Sequence, residues 1–179
     1  MATINLLPNT DISNDWTLST GSDAYALLDD DYTGLVTSDS SNLTATATGK
    51  ICEVGFQNFT EDFSAINSVQ AVIKAGNTGR SASFRLEMSI KDNLGTLWSA
   101  EDLGPQAGNR FYRTLTYTER TTYDGSNAWT NSKLNNMTMH VEQTAITVAS
   151  TTEFTYCYFI VDYDLPVAAD NSILFGTNF

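Results

Sequence analysis

Between Ser83 and Ile90 the apolar side chains Phe84, Leu86, Met88 and Ile90 alternate with Arg85, Glu87 and Ser89. A two-residue period of this kind is met by an extended strand with one dry and one wet face, and by no helix. The same grammar recurs along the chain. Ile66 to Ala75 carries Val69, Ala71 and Ile73 on one face, and the Gly76-Asn77-Thr78-Gly79 run after it has the residues a tight turn needs, so the pair 66–75 and 83–90 is expected to form a β-hairpin. Leu94 to Leu103 lies between Asp92-Asn93 and Gly104-Pro105, and Phe111 to Thr118 is a further strand. Met137, Met139 and Val141 alternate with Thr138, His140 and Glu142. Phe154 to Tyr163 is apolar or aromatic on both faces, as expected of a strand lying centrally in its sheet. One short helix is expected, Asn127 to Asn136, capped by Ser126 or Asn127. Many strands at short spacing with a single helical segment predict an all-β fold, an antiparallel β-sandwich of jelly-roll type.

A chain of 179 residues is long enough for one sizeable core without staples. The expected division is an N-terminal arm over 1–24, a sandwich over 25–164 and a C-terminal tail over 165–179. That tail carries Ile173, Leu174, Phe175 and Phe179, which must be buried on the chain's own core or on a neighbour. Cys52 and Cys157 sit far apart in apolar runs, without metal-ligand or redox spacing, and are expected as buried free thiols.

Twenty-one acidic against nine basic residues give a net charge of -12. No basic run is available to neutralise phosphates, so nucleic acid is not an expected partner. The first residues lack the charged and apolar regions of a signal peptide, and no stretch has the ~18 apolar residues of a membrane span. The expectation is a soluble chain made in the cytoplasm, with no membrane partner.

Little reaction chemistry is offered. His140 is the only histidine, and alternation puts it on a polar face with Thr138 and Glu142. Nucleophile-elbow, zinc-helix and phosphate-loop motifs do not occur. Glu61-Asp62 and Glu101-Asp102, separated by strands, are pairs that a glycosidase reading would start from, but every acidic chain of this size offers such pairs and no catalytic residue is assigned. Asp29, Asp30 and Asp31 are candidate cation ligands, but without the spacing of a calcium loop they are read as a solvated acidic turn. No cofactor is expected. Trp16, Trp98, Trp129, Tyr112, Tyr117 and Tyr123 are the aromatic residues from which a sugar-stacking surface would be drawn.

Several landmarks occur in an order that resembles tailed-bacteriophage virion proteins with a β-sandwich domain. They are Leu28-Asp29-Asp30-Asp31-Tyr32, Ser38-Asp39, Ile66-Asn67-Ser68-Val69-Gln70, Phe84-Arg85, Tyr117-Thr118, Trp129-Thr130 and Leu134-Asn135, over residues 23 to 143. Tyr123-Asp124-Gly125 stands where such chains carry a proline turn. The resemblance implies a capsid decoration (cement) protein on the outer surface of the virion, synthesised in the host cytoplasm. Its partners would be the major capsid protein and further copies of itself, as a homotrimer or other small homo-oligomer. Contacts are then expected from Ile4, Leu6, Leu7, Trp16, Leu165, Ile173, Leu174, Phe175 and Phe179. The alternative it implies is a head-fibre or tail-associated adhesin that binds host-surface carbohydrate through Trp98, Trp129 and Tyr123.

Overall fold

The computed structural model describes residues 1–29, 41–77, 83–107, 112–147 and 150–166. Eleven strands and two single-turn helices are found there: β1 (Ala2–Leu6), β2 (Pro8–Asn14), β3 (Thr17–Leu18), α1 (Tyr25–Leu28), β4 (Leu43–Ala45), β5 (Lys50–Phe56), β6 (Ala65–Asn77), β7 (Ser83–Asp92), β8 (Gly95–Ala107), β9 (Arg113–Thr116), α2 (Asn131–Leu134), β10 (Thr138–Ile146) and β11 (Thr152–Asp164). They form two sheets. The first has the order β3-β4-β11-β6-β9 with β1 also beside β11, and the second has the order β2-β5-β10-β7-β8. Every pairing between these strands is antiparallel, and the expected β-sandwich is what the chain forms.

β11 is central, as its two apolar faces predict. One edge pairs with β6 along its length, and the other is shared by β4 at Thr152 to Phe154 and β1 at Phe159 to Tyr163. A register shift between Phe154 and Tyr156 inserts an extra residue. The shift lets Phe154, Cys157, Phe159, Val161 and Tyr163 all enter the core, which strict alternation would forbid. From the second sheet Cys52, Val54, Phe56, Leu86, Met88, Ile90, Met139 and Val141 meet them. Both cysteines are buried and free, and burial raises both thiol pKa values well above the ordinary range.

Three expectations are corrected. β6 and β7 do not form a hairpin, because β6 lies in the first sheet and β7 in the second. Gly76 and Asn77 do not turn but extend the strand, opposite Glu153 and Thr152. Local turn chemistry suited a hairpin, yet the long antiparallel partnership with β11 recruits those residues into the ladder.

Second, the first 24 residues are not an arm. β1 joins the first sheet and β2 the second, with Leu7 alone between them, so the start of the chain ties the two layers together. Leu6 and Trp16 are 2% and 3% exposed, and Trp16 meets Phe154 edge to face. The segment reads as polar because an edge strand keeps one face wet. Asp11 from β2 accepts hydrogen bonds from the Ala24 and Tyr25 N–H groups, both at 2.7 Å, and so starts α1, a helix that had not been expected.

Third, the helix expected over Asn127 to Asn136 shrinks to Asn131–Leu134, capped by Thr130, whose Oγ1 accepts from the Lys133 N–H at 3.3 Å. Asn127 is claimed earlier. The Asp124 carboxylate accepts from the Asn127 Nδ2 and N–H and from the Ser126 N–H, which holds residues 124–127 in an Asx turn and lowers the Asp124 pKa to about 2.

Of the tail, only Leu165 and Pro166 are described, and Leu165 is exposed. Ile173, Leu174, Phe175 and Phe179 lie outside the described residues, as do Asp30 and Asp31. Among the described residues no helix is long and apolar enough to cross a membrane.

Candidate functional site

The outer face of the second sheet is built by the same alternation that fills its inner face. Three rows of outward side chains cross β5, β10 and β7: Gly55, Thr138 and Lys91; then Glu53, His140 and Ser89; then Ile51, Glu142 and Glu87. At the middle, Lys91 Nζ lies 2.6 Å from Glu53 Oε2 and 2.9 Å from His140 Nδ1. His140 Nδ1 is also 3.0 Å from Glu53 Oε2, and Thr138 Oγ1 donates to Glu53 Oε1 at 2.9 Å. Glu53 is only 9% exposed although it points away from the core, because these neighbours enclose it. Burial by itself would raise its pKa. The donors Lys91, His140 and Thr138 outweigh that desolvation and leave the carboxyl below its ordinary value.

Beside this trio runs a cleft of about 320 Å³ lined by Asn9, Thr10, Ile12, Gly55, Phe56, Asn58, Asn135, Asn136, Met137 and Thr138. β2 supplies one wall, β5 and the first residue of β10 the floor, and the segment after α2 the other wall. Four amides and two hydroxyls line it, and no ionisable side chain does. Part of this polar capacity is spent on holding the walls. Asn135 Oδ1 accepts from the Phe59 N–H at 2.7 Å, Asn136 Nδ2 donates to the Ser132 carbonyl at 2.6 Å, and Asn9 Oδ1 accepts from Thr10 Oγ1 at 3.2 Å. Each of those amides keeps its other group, since a carboxamide both donates and accepts. The Asn58 side chain makes no hydrogen bond among the described residues.

At the floor, Gly55 leaves a gap. A Cβ there would stand 3.7 Å from Thr10 Cβ and 3.9 Å from Ile12 Cδ1. Ile12 itself is 54% exposed, a large apolar side chain on the rim of a polar cleft. The arrangement is a small apolar floor ringed by amides, more polar than the predominantly apolar lining of most small-molecule sites.

A second cleft, about 400 Å³, opens between the edge strands β8 and β9 and is lined by Glu101, Asp102, Leu103, Thr114, Leu115 and Thr116. Its carboxylates are engaged within the chain. Glu101 accepts from the Thr118 N–H and hydroxyl, and Asp102 pairs with Arg85.

The aromatic residues singled out in the sequence are placed elsewhere. Trp98 and Trp129 are each 4% exposed and meet edge to face with ring centroids 5.7 Å apart. Tyr123 closes on Trp129 at 5.4 Å, its hydroxyl donates to Asp92, and Lys133 Nζ sits 4.4 Å from its ring centre. The indole N–H groups of Trp98 and Trp129 donate to the Tyr123 and Arg120 carbonyls. The three therefore form a packed cluster that anchors residues 117–134, with the Trp98 and Trp129 rings buried and Tyr123 half-buried. Tyr117 is buried in the same cluster. Tyr112 is held by Glu153 and by Lys74, whose Nζ lies 6.0 Å from its ring centre.

Of the other expected contact residues, Leu6 and Trp16 are in the core, Ile4 packs against it, and Leu7 is half-buried. Asp29 ends α1. Among the described residues no three His, Cys, Asp or Glu side chains converge as a metal site would need. Sequence reasoning missed Asn9, Asn58, Asn135, Asn136, Glu53 and Lys91. The one available signal was Glu53, the sole charge inside the apolar run Ile51 to Phe56.

No family model and no curated protein matches the chain. Among solved structures it is similar to the CBM36-1 domain of a multidomain xylanase from the hindgut metagenome of Trinervitermes trinervoides, at 11% identity, covering 90% of this chain and 97% of that one with a TM-score of 0.41. It is also similar to the CBM22-1 xylan-binding domain of Paenibacillus barcinonensis Xyn10C, at 13% identity, with coverage of 91% and 95% and a TM-score of 0.41. CBM32 of AlyQ in complex with 4,5-unsaturated mannuronic acid aligns at 12% identity over 84% and 98%, with a TM-score of 0.41. Likeness at this level assigns neither family nor ligand.

Proposed function

We propose that this chain is a non-catalytic module that binds carbohydrate in the cleft between β2, β5 and the start of β10. In the virion setting implied by the resemblance, it would act as a head-fibre or tail-associated adhesin. The observation that carries this reading is the cleft's lining of four carboxamides and two hydroxyls around the apolar floor at Gly55 and Ile12. A sugar ring presents vicinal hydroxyls at its rim, each both donor and acceptor, and C–H groups on its face. Carboxamides answer the first requirement and an apolar floor the second.

This reading is preferred over capsid decoration on a structural ground. Decoration was expected to use residues 1–16 and 165–179 for oligomer or capsid contacts, and residues 2–14 are taken up in the two sheets. Leu165 remains as the one exposed apolar side chain among the described contact candidates.

The test is a glycan array probed with the full chain, alongside a variant carrying Asn58→Ala and Asn136→Ala. Binding to a defined set of glycans, lost in the variant while its thermal transition is kept, is expected. An array with no hit sinks the carbohydrate reading. Mass spectrometry of purified particles then separates the two roles: a few to a few tens of copies per virion fits a fibre or tail position, and hundreds fit a shell.

A further inference from the structure

The cleft and the Glu53 trio are neighbours on one sheet face. Thr138 lines the cleft, lies directly opposite Lys91 in register, and donates to Glu53. The cation that this register brings beside Thr138 is Lys91, and it is already paired with Glu53 Oε2 at 2.6 Å. Lys133, on the wall that carries Asn135, is likewise occupied, with its ammonium 3.3 Å from the Ala128 carbonyl and over the Tyr123 ring. An ionised carboxylate or sulfate entering the cleft would lose hydration and find amides and hydroxyls, with no ionisable side chain among the described residues that line it. Burying a charge without an opposite charge is costly, whereas a neutral hydroxyl is satisfied by the amides alone.

We propose that Glu53 determines the ligand class: by neutralising Lys91 it makes the cleft selective for uncharged sugars over uronate, sialylated or sulfated ones. The inference rests on the carbohydrate reading of the cleft, and its failure is distinguishable from the failure of that reading. Glu53 acts through Lys91 and is a positioning residue, so the informative readout is the ratio of affinities for charged and uncharged ligands.

An array carrying neutral, uronate, sialylated and sulfated glycans is probed first, and neutral hits are expected. Calorimetry then compares the best neutral oligosaccharide with its uronate counterpart on the wild type, on Glu53→Gln and on Glu53→Gln with Lys91→Met. Glu53→Gln keeps a hydrogen-bonding side chain and releases the Lys91 charge. It should raise the uronate-to-neutral affinity ratio about tenfold at low salt, and the gain should shrink in 0.5 M salt, where the Debye length falls to a few ångströms. Adding Lys91→Met should return the ratio to that of the wild type. Anionic hits on the wild type, or an unchanged ratio in a folded Glu53→Gln, overturn this inference and leave the carbohydrate reading standing. An array without hits of either kind overturns both.

Discussion

Gly55→Ala separates what the cleft floor does for stability from what it does for binding. Gly55 lies at the end of the β5–β10 ladder opposite Thr138, inside β5, and its backbone is not in the left-handed region. A glycine inside a strand costs roughly 0.5–1 kcal/mol relative to alanine through the entropy it loses on folding. The added methyl would meet Thr10 Cβ at 3.7 Å, Ile12 Cδ1 at 3.9 Å and the Thr10 carbonyl at 4.0 Å, all ordinary van der Waals separations, so no strain offsets the gain. Partial burial of one carbon adds at most about 0.8 kcal/mol. The variant should therefore be more stable by about 0.5–1.8 kcal/mol, which for a chain of this size raises Tm by about 1–7 °C. The same methyl occupies the floor that a sugar face would need. Affinity for the array-identified glycan should fall about tenfold or more, the equivalent of losing one good contact of roughly 1.4 kcal/mol. Thermal unfolding followed by circular dichroism and calorimetric titration measure the two effects. A lower Tm would show that the floor is not open as described, and unchanged affinity would show that the ligand does not sit there.

Two further perturbations address the neighbouring clusters. Trp129→Ala removes a buried side chain from between Trp98 and Tyr123, so it should cost about 3–5 kcal/mol and lower Tm by about 6–20 °C, while the folded protein still binds glycan. Native stability with binding abolished would instead make Trp129 a ligand platform. Glu53 has a folded-state pKa below its ordinary value of 4.5, so its stabilising contribution is complete above that value and disappears as pH falls through the folded-state value. The stability difference between wild type and Glu53→Gln should then shrink between pH 6 and pH 3 in chemical denaturation, whereas parallel curves would refute the trio's role.

The strands were legible because alternation is local. Ser83 to Ile90 and Thr138 to Glu142 show their wet and dry faces within a few residues, and each became a strand of the second sheet with the faces as expected. The central place of β11 could be read the same way, from side chains that leave neither face polar. The partners of these strands were not legible. Nothing within 66–90 says that β6 seeks β11 and β9 while β7 seeks β10 and β8, because pairing is decided by contacts between residues distant in the chain. Composition misled most at the start, where edge-strand polarity looked like an unattached arm.

The candidate site divides along the same line. His140 could be assigned to a polar face, and its Thr138 and Glu142 neighbours with it, from spacing alone. The cleft could not, because Asn9, Asn58, Asn135 and Thr138 belong to separate segments and become neighbours only when β2 and β10 both pair with β5. The aromatic residues make the converse point: Trp98 and Trp129 advertise burial and stacking in any context, and only the packing shows that they stack on one another. What the sequence by itself determined was that alternating side chains must form strands and that opposed apolar faces must form a core. The tertiary structure decided which wet faces lie side by side, because a sheet face is assembled across strands, and a binding surface takes its chemistry from that assembly.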